Sequence, residues 1–220
     1  MARIENSHSP IAPRSLPQPR KAPRQARSQA MVEAILEATA RVLAERGYAG
    51  TNTNVVAERA GVSVGSVYQY FPNKDSLVTA LHERHGAQMY AAIAAVLAAE
   101  RPDGLRGHVQ AMVRALLAAH RVAPELHRVL EKEFPFFDAP RAQSAADGGI
   151  FEQVRRLLET HRGEVTADDL DLATWMVLQT MESLVHAAVI EPPAVFRPDA
   201  VEAAIVQVLM GYLTASCARR

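Results

Sequence analysis

The stretch Asn52-Thr53-Asn54-Val55-Val56-Ala57-Glu58-Arg59-Ala60-Gly61-Val62-Ser63-Val64-Gly65-Ser66-Val67-Tyr68-Gln69-Tyr70-Phe71 decides the fold. It reads as a short helix, a glycine turn, a second short helix and an aromatic stop. Asn52 is placed to cap the first helix by accepting from a free backbone N–H. Val56, Ala57 and Ala60 recur on one face at helical spacing. Gly61 follows the last turn, where the chain needs a left-handed residue and glycine takes it without strain. Val62 plugs the angle between the helices and Ser63 caps the second one. Val67 and Phe71, four apart, point inward. That leaves Val64, Gly65, Ser66, Gln69 and Tyr70 to face outward. A helix whose outer face is small and amide-bearing fits the major groove of DNA, the order expected of a helix-turn-helix.

Around this element the chain resembles the TetR family of bacterial transcriptional regulators. The resemblance runs from about Arg27 to Leu81. It rests on Ile35-Leu36-Glu37-Ala38, Leu43-Ala44-Glu45-Arg46-Gly47-Tyr48, Val56-Ala57, Ala60-Gly61-Val62-Ser63, Gly65-Ser66-Val67-Tyr68, Tyr70-Phe71 and Asn73-Lys74-Asp75. The aromatic ending followed by a lysine separates it from a generic helix-turn-helix. Asn52 stands where the family usually has threonine, an exchange of one cap for another. Val55 stands where an acidic residue is common, so the reciprocal half of a capping box is missing. The resemblance implies an all-α chain with a three-helix DNA-binding domain and a larger helical domain for effector binding and dimerisation.

Composition agrees once it is divided. The 220 residues carry no net charge, yet residues 1–90 hold 11 Lys and Arg against 7 Asp and Glu, a balance of +4. Residues 91–220 hold 13 against 17, a balance of −4. A basic end on an acidic body suits a DNA reader joined to a domain with another task. The 49% hydrophobic content allows a sizeable core, and the single cysteine, Cys217, excludes an internal disulfide. No apolar run opens the chain, so the expectation is a cytoplasmic protein without a signal peptide.

Three segments are expected. Residues 1–26, rich in Pro, Ser, Arg and Gln, read as a disordered basic arm that either stays solvated or settles in the minor groove. Residues 27–80 form the helix-turn-helix domain. Its first helix runs from about Ser28 to Arg46, with Met31, Ile35, Ala38 and Val42 in one stripe and Val32, Leu36, Thr39 and Leu43 beside it; Tyr48 packs over the end. Residues 81–220 form the effector and dimerisation domain. Asn73 caps a long connecting helix reaching about Glu100, apolar at Leu77, Leu81, Met89, Ile93, Val96 and Leu97. Further helices are expected at Leu105–Ala119, Pro124–Glu133, Ala142–Arg162, Ala167–Ile190 and Pro198–Ala218, with Thr166 capping the fourth of these and Asp169 completing its capping box. No strand pattern and no repeat appears.

From Leu172 to Ile190 the only ionised side chain is Glu182, and from Val201 to Ala218 it is Glu202. A helix packed on one side shows a charged opposite face. These two do not, so each is covered on both sides, most simply by a second copy in a four-helix bundle. The resemblance implies the same homodimer contact through the last two helices. Gln179, Glu182, Ser183 and His186 argue against a membrane span.

The DNA-binding set is Arg27, Asn52, Thr53, Ser63, Val64, Gly65, Ser66, Tyr68, Gln69, Tyr70 and Lys74. By resemblance and reach, Tyr68, Tyr70 and Lys74 are the phosphate anchors, with Asn52 and Thr53 adding donors at a helix start. Gln69 suits an adenine edge, Ser66 either kind of base, and Val64 a thymine methyl or no base at all. For Tyr68 the other role is core packing, and the two can coexist.

In the body, aromatic and Met side chains gather at Met112, Phe134, Phe136, Phe137, Phe151, Trp175, Met176 and Met181, with Gln179, His120, His127 and His186 as polar anchors. The expected effector pocket is Met112, Leu116, Phe134, Phe151, Trp175, Met176, Gln179 and His186, with Trp175 and Gln179 the leading pair, and its ligand a small lipophilic molecule. Each of these residues has an ordinary core role as its alternative.

Other chemistries fare worse. Gly61-Val62-Ser63-Val64-Gly65 matches the nucleophile elbow, but that motif follows a strand and here follows a helix. His82-x-x-His85 could hold a metal on one helix face; with no third ligand placed nearby it reads as a solvated pair. No catalytic residue, cofactor or metal is therefore expected. The combined expectation is a repressor dimer on a palindromic operator, released when a ligand tilts the connecting helix. A constitutive DNA-binding protein without effector is the nearer alternative, and a helical enzyme the more remote one.

Overall fold

The computed structural model describes residues 18–19, 26–99, 104–134, 145–190 and 195–215. The described residues form nine helices and no strand: α1 Ala26–Arg46, α2 Thr53–Ala60, α3 Val64–Tyr70, α4 Lys74–Leu97, α5 Gly104–His120, α6 Pro124–Lys132, α7 Ala145–Thr160, α8 Leu170–Ile190 and α9 Pro198–Thr214. The basic arm lies almost wholly outside the described residues, as do Phe136, Phe137 and Cys217; Ala26 already opens α1.

Two apolar clusters organise the chain. The first gathers Ile35, Leu36, Ala38, Val42 and Leu43 of α1, Val56 and Ala57 of α2, Val67 and Tyr70 of α3, Phe71, and Leu77, Val78 and Leu81 of α4. It also takes in Leu126, Val129 and Leu130 of α6 with Phe134. The second holds Ile93 and Val96 of α4 together with the inner faces of α5, α7, α8 and α9. A boundary near residue 80 is thus crossed twice: α4 runs through both clusters, and α6 returns from the body to close the first. Burying a side chain such as Leu130 or Phe134 stabilises by about 1.5–3 kcal/mol, so α6 contributes to the stability of the small domain.

Most helix ends match the sequence within a few residues, because their caps are local. Asn73 Oδ1 accepts from the Ser76 amide at 2.8 Å and Ser76 Oγ accepts from the Asn73 amide at 3.3 Å, a complete capping box. The start of α8 differs. Asp169, not Thr166, caps it, with Oδ1 accepting from the amides of Asp171 and Leu172 at 2.9 and 3.0 Å. Thr166 instead donates its hydroxyl to the Ala215 carbonyl at 2.6 Å, and its amide donates to the Leu213 carbonyl at 2.8 Å. It ties the α7–α8 turn to the end of α9.

The charge pattern of the last helices acquires a geometry. Glu202 pairs with Arg114 of α5 at 2.8 Å, so the one charge of α9 beyond its first turn faces its own subunit. The outer stripes keep exposed apolar groups: Leu172 and Trp175 on α8, Val208 and Tyr212 on α9. Trp175 is 53% exposed.

Candidate nucleic-acid interface

The helix-turn-helix is built from short-range bonds that the sequence specifies. Asn52 sits in extended backbone, and its Oδ1 accepts from the amides of Asn54 and Val55, both at 3.0 Å. Gly61 takes φ 68° and ψ 29° and closes α2 in the left-handed conformation. Ser63 Oγ accepts from the Ser66 amide at 3.0 Å and starts α3. Arg59 of α2 forks onto Glu45 of α1 at 2.6 and 2.7 Å, which sets the two helices against each other.

The exposed face of α3 consists of Val64, Gly65, Tyr68 and Gln69. A Cβ added at Gly65 would meet, among the described residues, only Ser63 Oγ at 3.7 Å, so none of them requires glycine there. Tyr68 is 43% exposed, so part of its ring packs and part faces solvent. Its phenol accepts from the buried Thr53 hydroxyl at 3.2 Å, linking α2 and α3. Thr53 therefore orients Tyr68 rather than standing free on the surface. Ser66 is half-buried, with its hydroxyl 2.8 Å from that of Ser63. Arg27 is exposed in the first turn of α1.

Two anchors sit differently from the sequence expectation. Tyr70, read as facing outward, is only 7% exposed and packs in the first cluster beside Phe71. The physical reason is helical spacing: Val67, Tyr70 and Phe71 stand at i, i+3 and i+4 on the buried face. Lys74, expected as a reaching cation, is half-buried. Its Nζ donates to the Tyr48 carbonyl at 3.0 Å and lies 3.8 Å from the centre of the Tyr48 ring. The Tyr48 hydroxyl donates to Asp75 Oδ1. Burial and that carboxylate push the phenol well above its ordinary range.

The expected effector residues do not converge. Met112 and Leu116 are buried in the second cluster, while Phe151 and Met176 are half-buried. Phe134 belongs to the first cluster, 6.0 Å from the Tyr48 ring. Trp175 and Gln179 both lie on the exposed side of α8. Periodicity finds an apolar residue but does not say which neighbour covers it.

The reading of His82 and His85 as a solvated pair is corrected. His82 sits against Phe134, with ring centres 6.1 Å apart. His85 sits with His120 and His127, from helices that the spacing of residues could not bring together.

Comparison with known proteins agrees with this architecture. Residues 35–81 match the family model for bacterial regulatory proteins of the tetR family, and residues 105–213 match that of the tetracyclin repressor-like C-terminal domain. No curated protein sequence matches the chain. Among solved structures, a TetR-family transcriptional regulator from Streptomyces coelicolor is similar at 27% identity and TM-score 0.60, over 84% of this chain and 96% of that one. A TetR-family regulator from Pectobacterium atrosepticum shares the fold at 21% identity and TM-score 0.65, over 88% and 99%. So does the fatty acid degradation regulator FadR from Bacillus halodurans, at 19% identity and TM-score 0.61, over 90% and 100%. With both halves matched and the glycine-hinged helix pair in place, this chain belongs to the TetR family: it is a DNA-binding transcriptional regulator, not an enzyme.

Proposed function

We propose that the chain acts as a cytoplasmic repressor, a homodimer that occupies a palindromic operator and leaves it when a small ligand binds the body. The observation that carries this reading is the exposed face of α3, where Val64, Gly65, Tyr68 and Gln69 present small, amide and phenolic groups on a helix capped by Ser63. Val64, Ser66 and Gln69 are the base-facing set, and Arg27, Asn52, Tyr68 and Lys74 the phosphate-side set, with Thr53 orienting Tyr68 and Tyr70 packing α3 from beneath. The uncovered apolar stripes of α8 and α9 support self-association, since a second copy of the same stripes removes them from water. Among the described residues no helix is long and apolar enough to cross a membrane.

The effector side is a lipophilic small molecule held in the body, where the second cluster, with Met112 and Leu116, supplies apolar walls. A similar fold serves a protein described as a fatty acid degradation regulator, which favours this class. Ligand in the body acts through α4, which runs through both clusters. A coupling of about 1–3 kcal/mol lowers operator affinity by about 5–150-fold.

Footprinting on DNA flanking the chain's own gene tests the reading. Two protected half-sites about 34–36 Å apart on one face of the duplex are expected. Gln69→Ala relaxes preference at one base position of each half-site, by about 1–3 kcal/mol. A single unpaired footprint, or none at low salt, overturns the dimeric operator reading. Thermal shifts over lipophilic compounds test the effector; no stabilising compound favours a constitutive DNA-binding protein.

A further inference from the structure

We propose that His85, His120 and His127 form a binding site for a divalent transition-metal cation of the zinc class, placed where it bears on the DNA-binding domain. The three rings come from α4, α5 and α6, and one ligand nitrogen from each lies within 4.8 Å of the others. Their ring centres are 4.0 Å apart for His85 and His127, and 4.3 Å for His120 and His127.

The hydrogen bonds set this cluster apart from ordinary buried histidines. Buried polar atoms nearly always have partners. His120 Nδ1 donates to the Leu116 carbonyl at 2.8 Å, which leaves Nε2 as the lone-pair nitrogen. That Nε2 is buried without a hydrogen-bond partner, and so is Nε2 of His85. A ring whose N–H is fixed by a backbone carbonyl, and whose other nitrogen is buried without a partner beside further imidazoles, has the arrangement of a metal-ligating histidine. Two neighbours complete the surroundings. The His186 ring centre is 4.8 Å from that of His120. Glu131 Oε2, also buried without a hydrogen-bond partner, lies 3.5 Å from His186 Nδ1.

Ligand chemistry selects the cation. Imidazole nitrogens suit zinc, copper, nickel and cobalt rather than magnesium or calcium. Zinc–nitrogen bonds of about 2.0–2.1 Å imply nitrogens roughly 3.3 Å apart in a tetrahedron, so the rings close by a small rotation. The fourth position is left to solvent, with His186 beside the three rings and Glu131 a nearby negative charge. Burial, the largest cause in each case, holds the three rings neutral, at about 4 for His85 and His120 and about 2 for His127. Neutral imidazole is the form that ligates.

The position gives the site a consequence. His85 follows Leu81 by one turn on α4, and His127 lies between Leu126 and Val129 on α6; Leu81, Leu126 and Val129 belong to the first cluster. A cation that draws His85 toward His127 therefore adjusts both helices against the helix-turn-helix. Metal binding stands on the histidine geometry alone. Its effect on DNA also rests on the regulator reading, to which it adds an inorganic input separate from the lipophilic one.

The full chain, stripped with chelator, is titrated with Co2+ and then with Zn2+. We expect ligand-field absorption typical of tetrahedral Co2+ that saturates at one ion per chain and is displaced by Zn2+, together with a Zn2+-dependent rise in melting temperature. His120→Ala and His85→Gln, each checked for native helicity, lose at least tenfold in affinity, and His161→Ala, outside the cluster, loses none. Absence of absorption and of a melting shift in the folded wild-type chain overturns the site, as does full affinity in a folded His120→Ala. Where metal binds yet operator affinity stays the same with and without Zn2+, the regulatory consequence is overturned and the site stands. DNA binding by the metal-free chain tests the regulator reading separately.

Discussion

The Tyr48 backbone amide donates to Glu133 Oε2 at 2.8 Å, joining the turn after α1 to the end of α6 across 85 positions of sequence. The approach is close because Gly47, at φ 68°, has no Cβ; one placed there would lie 2.7 Å from the same oxygen. Arg128 holds the other carboxylate oxygen at 3.2 Å. The body thus grips the DNA-binding domain at a defined point, Tyr48, whose own carbonyl holds Lys74.

Glu133→Ala removes this grip. The Tyr48 amide loses a charged acceptor, and the expected cost is about 1–2 kcal/mol of unfolding free energy. Metal-free operator affinity changes little, while any ligand-induced change in affinity shrinks. Denaturant unfolding and DNA titrations with and without ligand measure both. An unchanged midpoint together with full coupling removes Glu133 from the link.

Gly65→Ala separates stability from recognition. Alanine is favoured over glycine in helices, by up to about 0.5–1 kcal/mol in an interior and less in the first turn where Gly65 stands, and the added methyl meets only Ser63 Oγ at ordinary contact distance. The variant is expected to melt at or above the wild-type temperature yet to bind operator at least about tenfold more weakly, or about 1.4 kcal/mol, because its methyl occupies space between helix and bases. Equal DNA affinity would mean that α3 does not approach so closely.

Lys74→Ala is expected to weaken binding to every DNA sequence alike and to lower the salt slope by about one unit. The variant also loses the bond to the Tyr48 carbonyl and the contact with its ring, so its melting temperature falls slightly. If only the melting temperature moves, Lys74 is a structural tie and not a phosphate contact.

Trp175→Glu places a charge in the outer stripe of α8. It leaves the folded subunit intact, since Trp175 is exposed there. A charge buried without a partner is strongly unfavourable, so sedimentation velocity is expected to show monomer where the wild type shows dimer. An unaffected dimer moves the self-association surface elsewhere.

How much of this was legible in the sequence depended on range. Asn52, Gly61, Ser63 and Asn73 act within four residues of themselves, so their caps and turns were readable. Thr166 and Asp169 both have capping side chains, and local pattern cannot choose between them when one is drawn away by Leu213 and Ala215. Tyr70 was misplaced although its spacing from Val67 already marked the buried face. Phe134 and Trp175 were legible as apolar, but not as members of the small domain and of the outer surface. Of the histidine cluster, His120, His127 and His186 were legible as polar anchors of one region, but not that His85 of α4 meets them, since that contact forms only after the chain has folded.

The return of α6 into the first cluster bears on modularity. A reader head cut at residue 80 would leave the surfaces facing Leu126, Val129, Leu130 and Phe134 open to water. Swapping heads between relatives at the linear boundary would set one protein's α6 against another's α1. A working chimera of this chain carries residues 123–134 along with its helix-turn-helix, as two discontinuous pieces that travel together.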